Sequence, residues 1–162
     1  MRLDEIAPRW QFRERHTLRI DAPPERIYAA LRAVTAREIR FFLSFTAIRR
    51  LGRRGKPGIL NPPPDEPILD VATRTGFELL ADDPTREIVI GLHIGRDVFA
   101  AMNFHIDGGV LSTETRVHAA TRRAALAFGA YWLLIRAGSG ILRRTWLRAI
   151  RRRGEGVRQC AS

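Results

Sequence analysis

Apolar and polar residues alternate through most of the segment from Arg86 to Ala119, and a period of two predicts β-strands. Residues 86–94 place an aliphatic side chain at every second position, and residues 98–106 repeat the pattern. The apolar parity consists of Ile88, Ile90, Leu92 and Ile94 in the first strand and of Val98, Ala100, Met102, Phe104 and Ile106 in the second. One face of each strand is therefore predicted to meet the hydrophobic core.

Turn-forming residues separate these strands from one another and from two further strands. Residues 107–109, Asp-Gly-Gly, predict a tight hairpin, because glycine readily takes the positive φ of such turns. The segment 110–119 continues the alternation, and residues 68–80 predict another strand, which ends in a turn at 81–84. The chain is thus predicted to form a meander of at least four antiparallel strands.

An earlier strand and two short helices are predicted before this meander. Phe12, Glu14, His16, Leu18 and Ile20 share one face of a strand at residues 9–21, and arginines dominate the other face. Helical spacing of apolar residues follows at 22–34 and again at about 36–48. Residues 51–67 are rich in glycine and proline and are predicted to form a loop.

The pattern changes to a helical period from Thr121 to about Arg153. A stripe with three- and four-residue steps predicts one long helix. It contains Ala124, Phe128, Tyr131 or Trp132, Ile135, Ser139, Leu142, Trp146, and Ala149 or Ile150. Residues 138–140, Gly-Ser-Gly, predict a bend in that helix.

A strand meander followed by a terminal helix predicts a two-layer α+β fold, because each element must bury its apolar face on the other. If the sheet is curved, the layers can enclose a cavity, and this cavity would be the functional site. The 162 residues are enough for a single domain with one core. We expect residues 9–153 to form that core and residues 154–162 to be a disordered tail.

The formal net charge is +11, and Lys56 is the only lysine among 28 basic residues. Such a charge can favour an anionic membrane surface or RNA. Arginine in place of lysine is also what the codon bias of a GC-rich genome produces. Both interpretations remain open, and the arginine-rich end of the last helix is the segment that would bind such a surface weakly.

The lone Cys160 excludes a disulfide framework and a cysteine-based zinc site, which fits a cytoplasmic protein. The N-terminus lacks the apolar region of a secretory signal. Residues 124–142 are the one candidate membrane span, but Arg136 interrupts them, and the apolar stretch before it is too short to cross a bilayer. We expect a buried core helix there.

Several polar residues are candidates for chemistry. Glu14 and His16 can form an acid/base pair if they project into the cavity. Alternatively, both side chains can be exposed to solvent at a sheet edge. His93, Asn103 and His105 share the less apolar parity of two strands, but two histidines alone do not make a zinc site. No metal and no cofactor are predicted.

On the last strand, Glu114 and Arg116 share one face and Thr113 lies on the other. If the charged face points inward, the pair can hold the polar end of a ligand at the cavity wall. The more apolar face is the safer inward choice, and an outward pair would contribute at most about 1 kcal/mol. Tyr131 and Trp132 lie mid-helix, where aromatic rings can stack on a ligand or simply belong to the core.

Three segments carry a resemblance to a known fold family. They are HTLRIDAPPERIYAALRAV, TGFELLADDPTREIVIGLHIG, and LSTETRVHAATRRAALAFGAYWLLIRAGSGILRRTWLRAIRRR. In this order, the chain resembles the START-like or SRPBCC superfamily, which includes polyketide cyclases and lipid-transfer domains. The resemblance implies a helix-grip fold in which a curved antiparallel sheet wraps around the long C-terminal helix, with two short helices after the first strand. It assigns no catalytic residue.

The favoured hypothesis is a carrier or sensor that binds a small hydrophobic or amphipathic ligand, such as a lipid or polyketide, inside the cavity. The residues predicted to line it are Glu14, His16, Phe42, Met102, Phe104, Glu114, Arg116, Phe128, Tyr131 and Trp132. A cyclase- or aromatase-like enzyme acting in the same cavity is the first alternative. A basic protein that binds RNA or a membrane surface is the second.

Overall fold

The computed structural model describes residues 1–49, 58–59 and 61–156. Five helices and five strands are described in this part of the chain. In chain order they are α1 (Arg2–Ile6), β1 (Phe12–Arg19), α2 (Pro24–Ala33), α3 (Phe42–Arg49), α4 (Ile68–Arg74), β2 (Glu78–Asp83), β3 (Glu87–Ile94), β4 (Val98–Asp107), β5 (Val110–Ala119) and α5 (Arg122–Glu155). Residues 51–57 and 60 of the predicted loop, and residues 157–162 of the predicted tail, lie outside the described residues.

The five strands form one antiparallel sheet in the order β1-β5-β4-β3-β2. The meander is confirmed, and β1 pairs with β5 at the edge, with Glu14 opposite Thr115 and His16 opposite Thr113. The hairpin between β4 and β5 is also confirmed, with φ of 51° at Gly108. Such a positive φ is costly for residues that carry a Cβ, which explains why the sequence has glycine at this turn.

The prediction for residues 68–80 was wrong in its first half. Residues Ile68–Arg74 form helix α4, and the strand begins only at Glu78. The buried residues of α4 are Ile68, Leu69, Val71 and Ala72. This spacing fits one face of a helix, and the β-branched Ile68 and Val71 are tolerated there because tertiary burial outweighs the weak propensity.

Three other boundaries differ from the prediction. The second short helix begins at Phe42 instead of residue 36. The turn after β2 lies at residues 84–86, because the strand continues through Asp83. Helix α1 lies before residue 9, where the core was expected to start, and its Leu3 is fully buried.

Helix α5 packs across one face of the curved sheet, and the helix-grip architecture of the α+β fold is confirmed. The main core combines the inward residues of β3 and β4 with α2, α4 and the second half of α5. The two parts of α5, Arg122–Leu134 and Arg136–Glu155, meet at an angle of 62°. The predicted bend therefore exists, a few residues before the glycines that suggested it.

Helix α1 covers the opposite face of the sheet. Leu3 and Ala7 pack against Val89 and Ala101, which point away from α5. The carboxylate of Glu87 accepts hydrogen bonds from the backbone N–H groups of α1 at its N-terminal end, including that of Leu3 at 3.3 Å. The centre of the sheet is thus buried on both faces.

Candidate functional site

A pocket of about 310 Å³ lies where α5 crosses strands β3 and β4, with α3 and α4 along its sides. Most of the side chains that line it are apolar, and three polar ones belong to α3 and α5. The lining residues are Phe42, Thr46, Ile59, Ala72, Phe77, Ile90, Leu92, Met102, Ser139, Leu142, Arg143 and Trp146. Phe42 and Met102 were predicted to line a cavity here, and the structure places both in the pocket wall.

The sheet face under α5 is apolar on one side and polar on the other. One row of paired residues runs from Ile90 through Met102 and Thr115 to Glu14. The neighbouring row ends in Thr113 and His16 on the same polar side. Strands β3 and β4 therefore give the pocket an apolar floor, whereas β5 and β1 present hydroxyl, carboxylate and imidazole groups.

Arg143 stands at the boundary between these two sides. Its Nη1 donates a hydrogen bond to the Oγ1 of Thr113 at 3.2 Å. Burial lowers the pKa of the Arg143 guanidinium to about 10, and the charge of Glu14 acts in the opposite direction. The guanidinium group therefore stays cationic at neutral pH. Of the described residues that line the pocket, Arg143 is the one that carries a charge.

Trp146 forms the end of the pocket nearest the main core. Its ring lies 5.0 Å from that of Phe104 and 6.4 Å, edge-on, from that of Phe42. Phe104 was predicted to line the cavity and instead supports the wall from behind, with 1% of its surface exposed. The indole Nε1 of Trp146 is buried and has no hydrogen-bond partner among the described groups.

Glu14 and His16 are brought together as predicted, with His16 Nε2 and Glu14 Oε1 2.8 Å apart. They point towards α5 and are largely buried, at 11% and 13% exposure, although β1 is an edge strand. They line a separate groove beside α5 rather than the pocket. Gly140 makes this approach possible, because a Cβ there would lie 2.8 Å from Glu14 Oε1.

The three predicted aromatic residues on the first half of α5 lie away from the pocket. Phe128 and Trp132 are buried against Phe12, with ring centroids 5.2 Å and 5.9 Å from it. Tyr131 packs on Phe128 and is partly exposed. The structure therefore places Phe128 and Trp132 in a small second core, whereas Tyr131 lies at its exposed edge.

Glu114 and Arg116 lie on the sheet face opposite α5, so the prediction that the more apolar face of β5 points inward was right. The pair therefore does not line the pocket. The expectation of a weak surface pair was wrong, because their side chains are 1% and 5% exposed under α1. Arg116 Nε donates to Glu114 Oε1 at 2.7 Å, and its Nη groups donate to Asp4 and to the carbonyl of Ala7.

This outer network extends in two directions from Glu114. Arg13 donates to both of its carboxylate oxygens, at 2.8 Å and 3.0 Å. Burial alone would raise the pKa of Glu114, but the hydrogen bonds and charges of Arg13 and Arg116 outweigh it and lower that pKa. Asn103, expected on a solvated face, is 1% exposed and donates to Glu87 at 2.6 Å.

Sequence reasoning missed the polar residues of the pocket, above all Arg143. Its place in the basic run after residue 142 suggested a solvent-exposed charge. The signal that could have identified it is its spacing, because Ser139, Arg143, Trp146 and Ile150 follow one another in steps of four, three and four. An arginine on the buried stripe of a helix is expected to meet a partner inside.

The face of α5 that points away from the core carries exposed aliphatic residues. Leu126, Leu133 and Leu134 are 68%, 76% and 82% exposed, so the expectation of a buried helix holds for one face only. Arg136 and Arg144 line the groove beside this face. Within the described residues, no single helix has the length and hydropathy of a membrane span. The two halves of α5 have that length and hydropathy only when they are counted together across the bend.

No known family profile and no curated protein matches the chain. Solved structures do. Protein MLL2253 from Mesorhizobium loti is 12% identical, with a TM-score of 0.44 over 87% of this chain and 98% of its own. DR_A0006 from Deinococcus radiodurans is 18% identical, with a TM-score of 0.42 over 90% and 99%. CalU16 from Micromonospora echinospora is 16% identical, with a TM-score of 0.31 over 90% and 96%. At such identities the likeness concerns the fold alone.

Proposed function

We propose that this domain binds a small hydrophobic or amphipathic molecule, as a carrier or sensor, in the pocket between the sheet and α5. The observation that carries the proposal is the largely apolar lining of that pocket, which the two layers of the fold leave unfilled. Its volume of about 310 Å³ lies at the lower end of the range typical of ligand sites, which favours a compact ligand. The helix-grip resemblance implies the same class of function by analogy of fold alone.

Affinity in such a site comes mainly from burial of apolar surface, at about 25 cal/mol per Å². Each additional methylene of an aliphatic ligand should therefore contribute up to about 0.8 kcal/mol until the pocket is full. Affinity for an acyl chain should rise with length and then level off. The chain length at which it does so would report the depth of the pocket.

Displacement of a fluorescent fatty-acid probe by unlabelled fatty acids tests the proposal. A bulky side chain in the pocket wall, in the variant Ser139→Trp, should abolish saturable binding. Ala137→Trp is the matched control, because Ala137 lies on the same helix but on an exposed face. Equal binding by the two variants, or no saturable binding by the unaltered protein, would contradict the proposal.

A second candidate function, docking to an anionic lipid surface, is favoured by the leucines and arginines on the outer face of α5. Aliphatic side chains can insert at the lipid boundary while the guanidinium groups meet anionic headgroups. Co-sedimentation should be stronger with phosphatidylserine-containing vesicles than with phosphatidylcholine vesicles, and should weaken with salt and in the variant Leu133→Ser/Leu134→Ser. Unchanged vesicle binding by this variant, or tighter binding to RNA than to vesicles, would contradict it.

A further inference from the structure

The pocket pairs an apolar floor with one cation at its polar boundary. Ile90 and Met102 form part of the floor, and Arg143 lies where the floor meets the threonine row of β5. Any ligand that fills the apolar part and extends towards β5 therefore meets a guanidinium group. This arrangement suits an amphipathic molecule and orients it in one direction.

The charge of Glu14 acts on Arg143, but the two side chains form no direct ion pair among the described residues. The partner that Arg143 has, the hydroxyl of Thr113, is neutral. The carboxylate of Glu14 is hydrogen-bonded to His16, and no carboxylate of the described chain lies within salt-bridge distance of Arg143. Arg143 is half-buried, and a partly desolvated cation whose hydrogen-bond partner is neutral favours an anion that can reach it.

We propose that the ligand of this pocket is an amphipathic carboxylic acid whose carboxylate pairs with the guanidinium of Arg143. This inference rests on the proposed function and adds the chemical class of the ligand. A guanidinium group presents parallel N–H donors that match the two oxygens of a carboxylate. A phosphate dianion would need further cations, and the described lining offers one charged residue.

Ser139 and Thr46 also belong to the lining. Ser139 lies one helical turn before Arg143 on α5 and can add a hydroxyl group near the head of the ligand, whereas Phe77 and Leu92 belong to the apolar part. The acid would therefore bind with its carboxylate towards β5 and its apolar part over β3 and β4.

Decanoate and decanol test this inference, because they share an apolar tail and differ in the head group. Both are titrated into the full chain and into Arg143→Met, which removes the charge and keeps an unbranched side chain. Arg143→Lys tests whether a single point charge is sufficient. Arg144→Gln is the matched control, because Arg144 is an exposed neighbour that does not line the pocket. Circular dichroism confirms that each variant is folded.

We expect decanoate to bind the unaltered protein at least about tenfold more tightly than decanol, since a hydrogen bond to a charged group is worth about 1.4 kcal/mol or more. Arg143→Met should lose this preference, and Arg144→Gln should keep it. Equal affinities for the two probes, or an unchanged preference in Arg143→Met, would overturn the inference and leave the proposed function standing. If neither probe binds, the proposed function fails, and the inference fails with it.

Discussion

The buried network beneath α1 predicts that Glu114→Gln strongly destabilises the fold. The substitution keeps the shape of the side chain and removes the charge that Arg13 and Arg116 share. Loss of one partner from a buried ion pair typically costs about 3–5 kcal/mol. Arg13 is 44% exposed and can turn to water, and Arg116 keeps Asp4. We therefore expect the free energy of unfolding to fall by about 2–3 kcal/mol.

Urea unfolding followed by circular dichroism measures this change at neutral pH. Glu5→Gln is the control, because its pair with Arg2 is exposed at both ends and should contribute less than about 1 kcal/mol. A loss in Glu114→Gln no larger than in the control would refute the argument that burial under α1 makes this network important.

The pH dependence of the same variant provides a second test. The pKa of Glu114 is lower in the folded protein than its ordinary value of 4.5. Its stabilising contribution is thus fully present above pH 4.5 and is lost as the pH falls through the folded pKa. The difference in stability between the unaltered protein and Glu114→Gln should shrink in acid, and a constant difference would contradict the assigned charge state.

The remaining predictions concern the other polar contacts of the sheet and helices. Burial and the hydrogen bond to Asp82 raise the pKa of Tyr28 from 10.0 to about 12. The stability that the neutral phenol contributes should therefore be lost as the pH rises from 10.0 through about 12. Thermal unfolding against pH should show this loss in the unaltered protein and not in Tyr28→Phe. Gly140→Val should lower the melting temperature, and Glu14→Ala in the same protein should restore part of it, because the added Cβ would collide with that carboxylate. If the domain is a cyclase-like enzyme, Glu14→Gln and His16→Ala should lose turnover while remaining folded, whereas ligand affinity should hardly change if it is a carrier.

The sheet and its partner helix could be predicted because their apolar residues follow clean periods of two and of about 3.6. Helix α4 could not, since a short segment with four apolar residues among seven fits a buried strand as well as a short helix. The burial of Glu114 and Arg116 could not be predicted either. It depends on α1, whose five residues are too few to show a pattern of their own.

The site was predicted in outline and missed in detail for similar reasons. Phe42 and Met102 lie on apolar faces that must point to the core, and the structure places both in the pocket. Glu14 and His16 share the correct face of β1, but the sequence gives no measure of how far across the sheet α5 lies. The direction of Arg143 depends on the bend and rotation of α5, which its neighbours in sequence do not reveal.

Fluorescence of Trp146 offers the most direct test of the central claim, since its indole ring lines the pocket. Trp10→Phe/Trp132→Phe leaves Trp146 as the one remaining tryptophan of the three in the chain. Titration of this variant with a bromine-labelled fatty acid should quench Trp146 in a saturable way. Quenching that is absent, or that rises linearly without saturation while the protein stays folded, would contradict a ligand pocket between the sheet and α5.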